Sequence, residues 1–160
     1  MKMLPLKLTY DIYIAAPIDR VWSALIDGAL TEKYFYGTRV ESSFAKGAAL
    51  VYTAGDTPMV EGTVVEVVPG RLLELSQRFV WDPAVAADAP SKVRWELESM
   101  GDATKLSLIH DGFVGETETF KQSAGGWPVV LSASRRYSKQ AVRSSCRKRR
   151  EADRASLAGR

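Results

Sequence analysis

The stretch that decides the fold is Gly125-Gly126-Trp127-Pro128-Val129-Val130-Leu131. Two glycines make a flexible break, and a proline fits the first turn of a helix, where its missing N–H costs nothing. An apolar stripe begins at Val130 and Leu131. We therefore expect a long C-terminal helix that starts here and closes over a sheet formed by the preceding chain. The pattern T-x-x-Q over residues 119–122 predicts a separate short helix before the glycine pair.

Composition indicates one globular domain. The chain has 160 residues, of which 46% are apolar and 26% are charged, ordinary values for a globular protein. The single cysteine, Cys146, allows no intrachain disulfide and no thiolate zinc cluster. No apolar run approaches the roughly 18 residues of a membrane-spanning helix. The sequence thus predicts a cytoplasmic protein without membrane insertion, metal or cofactor.

Positive charge is concentrated at the C-terminal end. Residues 1–133 contain 12 Lys and Arg against 17 Asp and Glu, whereas residues 134–160 contain 10 against 2. We predict a domain over residues 1–142 and a basic tail over residues 143–160 that is either disordered or the product of a frameshift. The tail has no interleaved aromatic residues that could stack on bases, so no nucleic-acid partner is predicted.

Hydrophobic periodicity predicts an α+β fold. Residues 7–15 alternate like a strand with one buried face, and residues 18–26 carry apolar side chains at helical spacing. Thr31 is a candidate cap for a short helix over residues 32–36. Six strands separated by turn residues follow, with a loop expected at residues 82–90. The predicted order is one strand, two helices, six antiparallel strands and the C-terminal helix.

Several phrases, in this order, resemble one superfamily. They read IAAPIDRVWSAL at residues 14–25, YFYG at 34–37, VEGTVVEVVPGRL at 60–72, TKLSLIH at 104–110 and GW at 126–127. The chain resembles the START-like superfamily, also called SRPBCC or Bet v 1-like. More narrowly, it is similar to bacterial relatives of the C-terminal domain of the Hsp90 ATPase activator.

The resemblance implies a helix-grip fold, in which a curved antiparallel sheet surrounds a long C-terminal helix with an apolar cavity between them. It also implies binding of a hydrophobic small molecule in that cavity. Aromatic and apolar residues on the bordering elements are the candidate ligand-binding residues, and His110, the only histidine, is a candidate hydrogen-bond partner. The set is Tyr34, Phe35, Tyr52, Phe79, Trp81, Trp95, His110, Trp127 and Leu131.

Two other functions follow from the resemblance. A chaperone-associated interaction module would have an exposed apolar patch on the outer face of the sheet and no closed cavity. A cyclase- or dehydratase-type enzyme would have two or more polar groups converging inside the cavity. We predict no catalytic residues and favour binding without catalysis, in a monomer or a dimer.

The resemblance stops after Ala133. Related chains continue with a leucine-rich helix, whereas this chain continues with polar and basic residues from Ser134 onward. Codons exist for residues 133–144 with which one inserted base after codon 133 changes the reading to ALKTLLETGRPL, the ending typical of the family. We therefore hypothesise a one-base frameshift near codon 134, which would leave the last helix short of buried leucines.

Overall fold

A computed structural model describes residues 6–135. Seven strands form one antiparallel sheet, as predicted, and their order in the sheet is β1-β7-β6-β5-β4-β3-β2. The strands are β1 (Leu8–Ile14), β2 (Arg39–Glu41), β3 (Ala49–Ala54), β4 (Thr57–Val68), β5 (Leu72–Phe79), β6 (Ser91–Met100) and β7 (Ala103–Asp111). The helices are α1 (Ile18–Ile26), α2 (Gly28–Tyr34), α3 (Pro83–Ala86) and α4, which occupies residues 118–135.

The sheet has an inner face that packs under the helices and an outer face that carries charge. Alternation along β5, β6 and β7 buries one face, as with Leu73, Leu75, Val93 and Leu108. On the outer face, the Arg94 guanidinium lies 2.9 Å from a carboxylate oxygen of Glu74 and 2.6 Å from one of Glu96. The inner face therefore holds the core.

Gly62 allows two central strands to approach closely. A Cβ atom at this position would lie 2.4 Å from the Ser76 carbonyl oxygen on β5, so any side chain would displace backbone. The register between β4 and β5 shifts beside it, between Val64 and Glu66. Gly62, which belongs to the phrase VEGTVVEVVPGRL, therefore allows β4 and β5 to pack closely.

The helix α2 begins earlier than predicted. Its cap is Asp27, whose carboxylate accepts a hydrogen bond from the Ala29 amide at 2.9 Å. Thr31, the predicted cap, is buried within the helix, and its hydroxyl donates to the Thr38 carbonyl at 2.9 Å, with the Gly28 carbonyl 3.2 Å away. The predicted cap was wrong because Asp27, four residues earlier, already satisfies the first free amides.

The predicted break at the glycine pair is absent, and α4 runs continuously from residue 118. The Thr117 hydroxyl accepts from the Phe120 amide at 3.2 Å, so the cap lies two residues before the predicted one. Pro128 therefore sits in the helix interior, where it leaves the Ala124 carbonyl without its usual helical donor. Burial of Trp127 and Val130 against the sheet outweighs these unfavourable local preferences.

The predicted loop at residues 82–90 contains the short helix α3 and is tied to α4. Asp82 caps α3 by accepting from the Ala84 amide at 2.9 Å. Asp88 accepts from both the amide and the hydroxyl of Thr119, at 2.9 and 2.7 Å, and these bonds hold the pKa of Asp88 below its ordinary value. The first turn of α4 is thereby fixed to the β5–β6 connection.

Some predictions lie outside the described residues. They are the domain limit at residue 142, the disordered basic tail at 143–160 and the helix sequence from residue 136 affected by the hypothesised frameshift. Within residues 6–135, no helix combines the length and the apolar character that crossing a membrane requires.

Candidate functional site

A cavity of about 500 Å³ lies between α4 and the inner face of the sheet. Its walls come from β4, β5, the end of α2 with the segment after it, and the first half of α4. The lining residues are Phe35, Tyr36, Thr38, Met59, Val60, Phe79, Trp81, Gln122, Ser123, Gly125, Gly126, Trp127 and Val130. The exposed side chains of Tyr36 and Trp81 lie at its rim.

One wall is an aromatic pair at the end of β5. The rings of Phe79 and Trp81 stack with centroids 4.4 Å apart and planes 23° from parallel. The Trp81 indole N–H donates to Gln122 Oε1 at 2.9 Å, and the Gln122 amide group donates to Glu118 at 3.1 Å. This chain of hydrogen bonds ties the wall to α4.

Trp127 forms another part of the wall. It is buried and meets Phe35 edge to face, with ring centroids 5.8 Å apart. Trp95 on β6 packs behind it in the same manner, at 5.7 Å. The indole N–H of Trp127 donates to His110 Nδ1 at 2.9 Å, which fixes the orientation of the ring.

This hydrogen bond determines the tautomer of His110. An indole N–H is only a donor, so Nδ1 must be the unprotonated acceptor and Nε2 must carry the proton. Nε2 lies 2.7 Å from the Ser91 hydroxyl oxygen and therefore donates to it. The imidazole is fully buried, and desolvation lowers its pKa to about 3. His110 is thus a neutral bridge between Ser91 and Trp127.

The arrangement does not suit nucleophilic catalysis. A serine nucleophile needs a basic nitrogen that accepts its proton. Here the nitrogen facing Ser91 is the donor, and the other nitrogen is occupied by Trp127. His110 accordingly serves packing and orientation rather than proton transfer.

The segment after α2 forms the mouth of the cavity. Tyr36 adopts a left-handed backbone conformation, with φ of 50°, which is uncommon for a residue with a side chain. Its hydroxyl donates to the Gly126 carbonyl at 3.2 Å. A Cβ at Gly126 would lie 3.4 Å from that hydroxyl, whereas one at Gly125 would meet nothing within 4 Å. The glycine pair therefore leaves open the space beside the mouth.

The structure brings four of the nine candidate residues into the lining: Phe35, Phe79, Trp81 and Trp127. The other five lie outside it. Tyr52 stacks behind Phe35 at 4.8 Å, and Trp95 and His110 support Trp127 from behind. Leu131 borders a separate groove between α4 and β1.

Tyr34, the fifth of these, donates its hydroxyl to the Ala24 carbonyl in the core. Burial raises the pKa of both Tyr34 and Tyr52 above the ordinary value, which keeps both phenols neutral. They contribute to the support of the cavity wall.

Sequence reasoning missed the other nine lining residues. These residues are Tyr36, Thr38, Met59, Val60, Gln122, Ser123, Gly125, Gly126 and Val130. Ser123 lies four residues before Trp127, so a helix continued through the glycines would have placed both on one face. In residues 6–135, no cluster of three or more His, Cys, Asp or Glu side chains is arranged to hold a metal ion.

Comparison with known families decides the classification. The family model described as Activator of Hsp90 ATPase homolog 1-like protein, AHSA1, matches residues 15–134. The chain belongs to the AHSA1 family. This confirms the resemblance read from the sequence, including its SRPBCC or Bet v 1-like character. No protein among those with curated descriptions matches the chain.

Solved structures agree on the AHSA1 fold. Protein MLL2253 from Mesorhizobium loti is 20% identical with a TM-score of 0.72, covering 84% of this chain and 98% of that one. CalU16 from Micromonospora echinospora is 21% identical with a TM-score of 0.68, covering 91% and 84%. The Aha1 dimer from Colwellia psychrerythraea is 13% identical with a TM-score of 0.65, covering 81% and 93%. At these identities the likeness concerns the fold alone.

Proposed function

We propose that this AHSA1 protein binds a hydrophobic small molecule in the cavity between α4 and the sheet. The observation that carries the proposal is the cavity of about 500 Å³ with a mainly aromatic and aliphatic lining. Ligand sites typically measure about 300–1,000 Å³ and carry few polar groups.

The polar groups of the cavity favour binding over catalysis. The Thr38 hydroxyl donates to the Phe35 carbonyl, and the Tyr36 hydroxyl and Gln122 have the partners described above. A cyclase or dehydratase would need at least two free groups to move protons. Among the described lining side chains, Ser123 alone has a buried polar atom without a partner.

The chaperone-associated alternative comes from the family's name and has less support in this chain. It requires an extended apolar patch on the outer face of the sheet. There the described residues form ion pairs, such as Arg78 with Glu61 and Lys92 with Glu74. The Colwellia relative is described as a dimer; a monomer or a dimer in the cytoplasm remains our expectation for this chain.

Native mass spectrometry and an uncharged fluorescent probe test the proposal. We expect the purified protein to carry a bound small molecule, seen as added mass, or to bind N-phenyl-1-naphthylamine. Gly125→Leu and Met59→Trp each add side-chain volume at a lining position. Both variants should bind the probe at least tenfold more weakly.

Gly115→Leu is the matched control, since a Cβ there also meets nothing within 4 Å and the residue is outside the lining. It should bind as the wild type does. Absence of any bound mass and of probe binding, or equal binding by all the variants, would contradict the proposal. Capture of a chaperone by the same bare protein would favour the alternative.

A further inference from the structure

The sheet has one long edge strand that is open to pairing. β1 and β2 lie at the two ends of the strand order, and within residues 6–135 no further strand pairs with either. β2 spans only Arg39–Glu41 and has a charged residue at each end, features that discourage pairing at an edge. β1, at Leu8–Ile14, is seven residues long, lacks proline and keeps an unbroken register with β7. The backbone N–H and C=O groups on its free edge are therefore a template for another strand.

A groove of about 390 Å³ lies along this free edge, between β1 and α4. Residues 9–12 of β1 form one side of it. The other side is a stripe of α4 residues at helical spacing, Pro128, Leu131, Ser132 and Arg135. The α4 residues that line the cavity are different ones. The groove is therefore a second surface, and a partner bound there would not occupy the cavity.

The charges and the exposed apolar side chains of this surface suit a second copy of the same chain. The groove holds one carboxylate, on Asp11, and one guanidinium group, on Arg135. A strongly acidic or basic partner would find no complementary potential here, whereas a second copy brings the same balanced pair. Tyr13 on β1 and Val129, next to the α4 stripe, are 53% and 57% exposed. Apolar side chains exposed beside an open edge are typical of a surface that is covered in an assembly.

One antiparallel register makes β1 complementary to itself. The side chains that alternate on the outer face, all of them exposed, are Lys7, Thr9, Asp11 and Tyr13. When two copies pair about a two-fold axis at Tyr10, residues equally far from Tyr10 lie opposite each other. Lys7 then faces Tyr13 of the second copy, which sets an ammonium group beside an aromatic ring. Thr9 faces Asp11 of the second copy, which sets a hydroxyl donor beside a carboxylate. Pairing about Asp11 would instead place two carboxylates directly opposite, which is unfavourable.

We propose that the chain forms a symmetric dimer in which β1 pairs with β1 of a second copy about Tyr10. The two sheets then join into one continuous antiparallel sheet, and the backbone groups that β7 does not use hydrogen-bond across the interface. On the inner face, Leu8 of each copy lies opposite Ile12 of the other, beside the groove that leaves room for them. The dimer requires no ligand in the cavity.

Sedimentation equilibrium from low to several hundred micromolar full chain tests this interface. We expect the wild type to reach twice the chain mass as its concentration rises. Thr9→Glu places a carboxylate opposite Asp11 at two symmetry-related positions and should weaken the dimer about two- to thirtyfold. Thr9→Lys places an ammonium group there and should strengthen the dimer by about a similar factor. Because Thr9 is exposed, both variants should fold, and their melting temperatures check this.

A rescue variant and a matched control complete the test. Adding Asp11→Lys to Thr9→Glu restores opposite charges between the copies and should recover most of the lost affinity. Thr63→Glu adds the same charge at an exposed threonine of β4, away from the free edge, and should leave the dimer unchanged. A wild type that stays monomeric throughout would overturn the proposal and leave the edge to a strand of another protein. Equal weakening by Thr9→Glu and Thr63→Glu would also overturn it, as would a double variant no tighter than Thr9→Glu alone.

Discussion

The substitution His110→Gln should remove most of what this residue contributes to the fall in the free energy of unfolding at acidic pH. The glutamine side chain offers one carbonyl acceptor for the Trp127 N–H and one amide donor for the Ser91 hydroxyl, but it does not titrate. The wild-type imidazole is fully buried with ring contacts to Phe79, Phe113 and Trp127. The two proteins thus differ mainly in whether a proton can bind after unfolding.

The size of the effect follows from the two pKa values. An unfolded histidine titrates near about 6.5, whereas burial lowers the pKa of His110 to about 3 in the native state. Between these values the unfolded chain binds the extra proton, so the free energy of unfolding falls as the pH falls. The slope approaches about 1.4 kcal/mol per pH unit. From pH 7 to pH 4.5 the wild type should lose about 2.5 kcal/mol through this residue.

Urea unfolding followed by tryptophan emission at pH 7, 5.5 and 4.5 measures the difference. Carboxylates such as Asp88, whose pKa is also lowered, destabilise both proteins equally on acidification and cancel in the comparison. The stability gap between wild type and His110→Gln should shift by about 2.5 kcal/mol in favour of the variant. Parallel pH profiles would refute the claim that His110 is held neutral in the folded protein.

Three further outcomes follow. Trp127→Phe removes the donor to His110 Nδ1 and should cost about 1–3 kcal/mol of the free energy of unfolding, measured by urea titration; an unchanged value would mean that the bond contributes nothing. Gly125→Ala should gain about 0.5–1 kcal/mol by the same measurement, because the helix continues through this residue and its Cβ has open space. A loss would contradict the continuous helix. Sequencing the gene should give ALKTLLETGRPL in the neighbouring frame over codons 133–144, and any other reading removes the frameshift hypothesis.

Much of the fold could be predicted because its signals are local and repeated. Alternation in β1 and β6 and the helical stripe of α1 each follow from burial of one face. Short turns between successive strands then favour the antiparallel order that the sheet adopts. Pro128 and the apolar stripe from Val130 indicated the last helix, and the family phrases added the apolar cavity between this helix and the sheet.

The candidate site was harder to predict, because its lining depends on tertiary packing. Gly125, Gly126 and Pro128 have poor helical preference, and only the burial of neighbouring side chains keeps α4 continuous. Reading a break there hid the common face of Ser123 and Trp127. Of the aromatic candidates, Phe35, Phe79, Trp81 and Trp127 line the space, and Tyr34, Tyr52 and Trp95 do not. Sequence alone could not separate these two groups.

The match to the AHSA1 family ends at residue 134, close to the point where the hypothesised frameshift would begin. This coincidence supports the hypothesis without depending on the residues beyond 135. The cavity itself is built from residues 35–130. Its proposed function therefore does not rest on the sequence that the frameshift would alter.

The most direct test of ligand binding uses the four tryptophan indole N–H signals in a two-dimensional NMR spectrum. Trp81 and Trp127 line the cavity, whereas Trp22 lies on α1 outside the lining. Titration with N-phenyl-1-naphthylamine should shift the Trp81 and Trp127 signals in a saturable manner and leave Trp22 unmoved. Equal shifts at all four positions, or none at Trp81 and Trp127, would contradict a ligand site between α4 and the sheet.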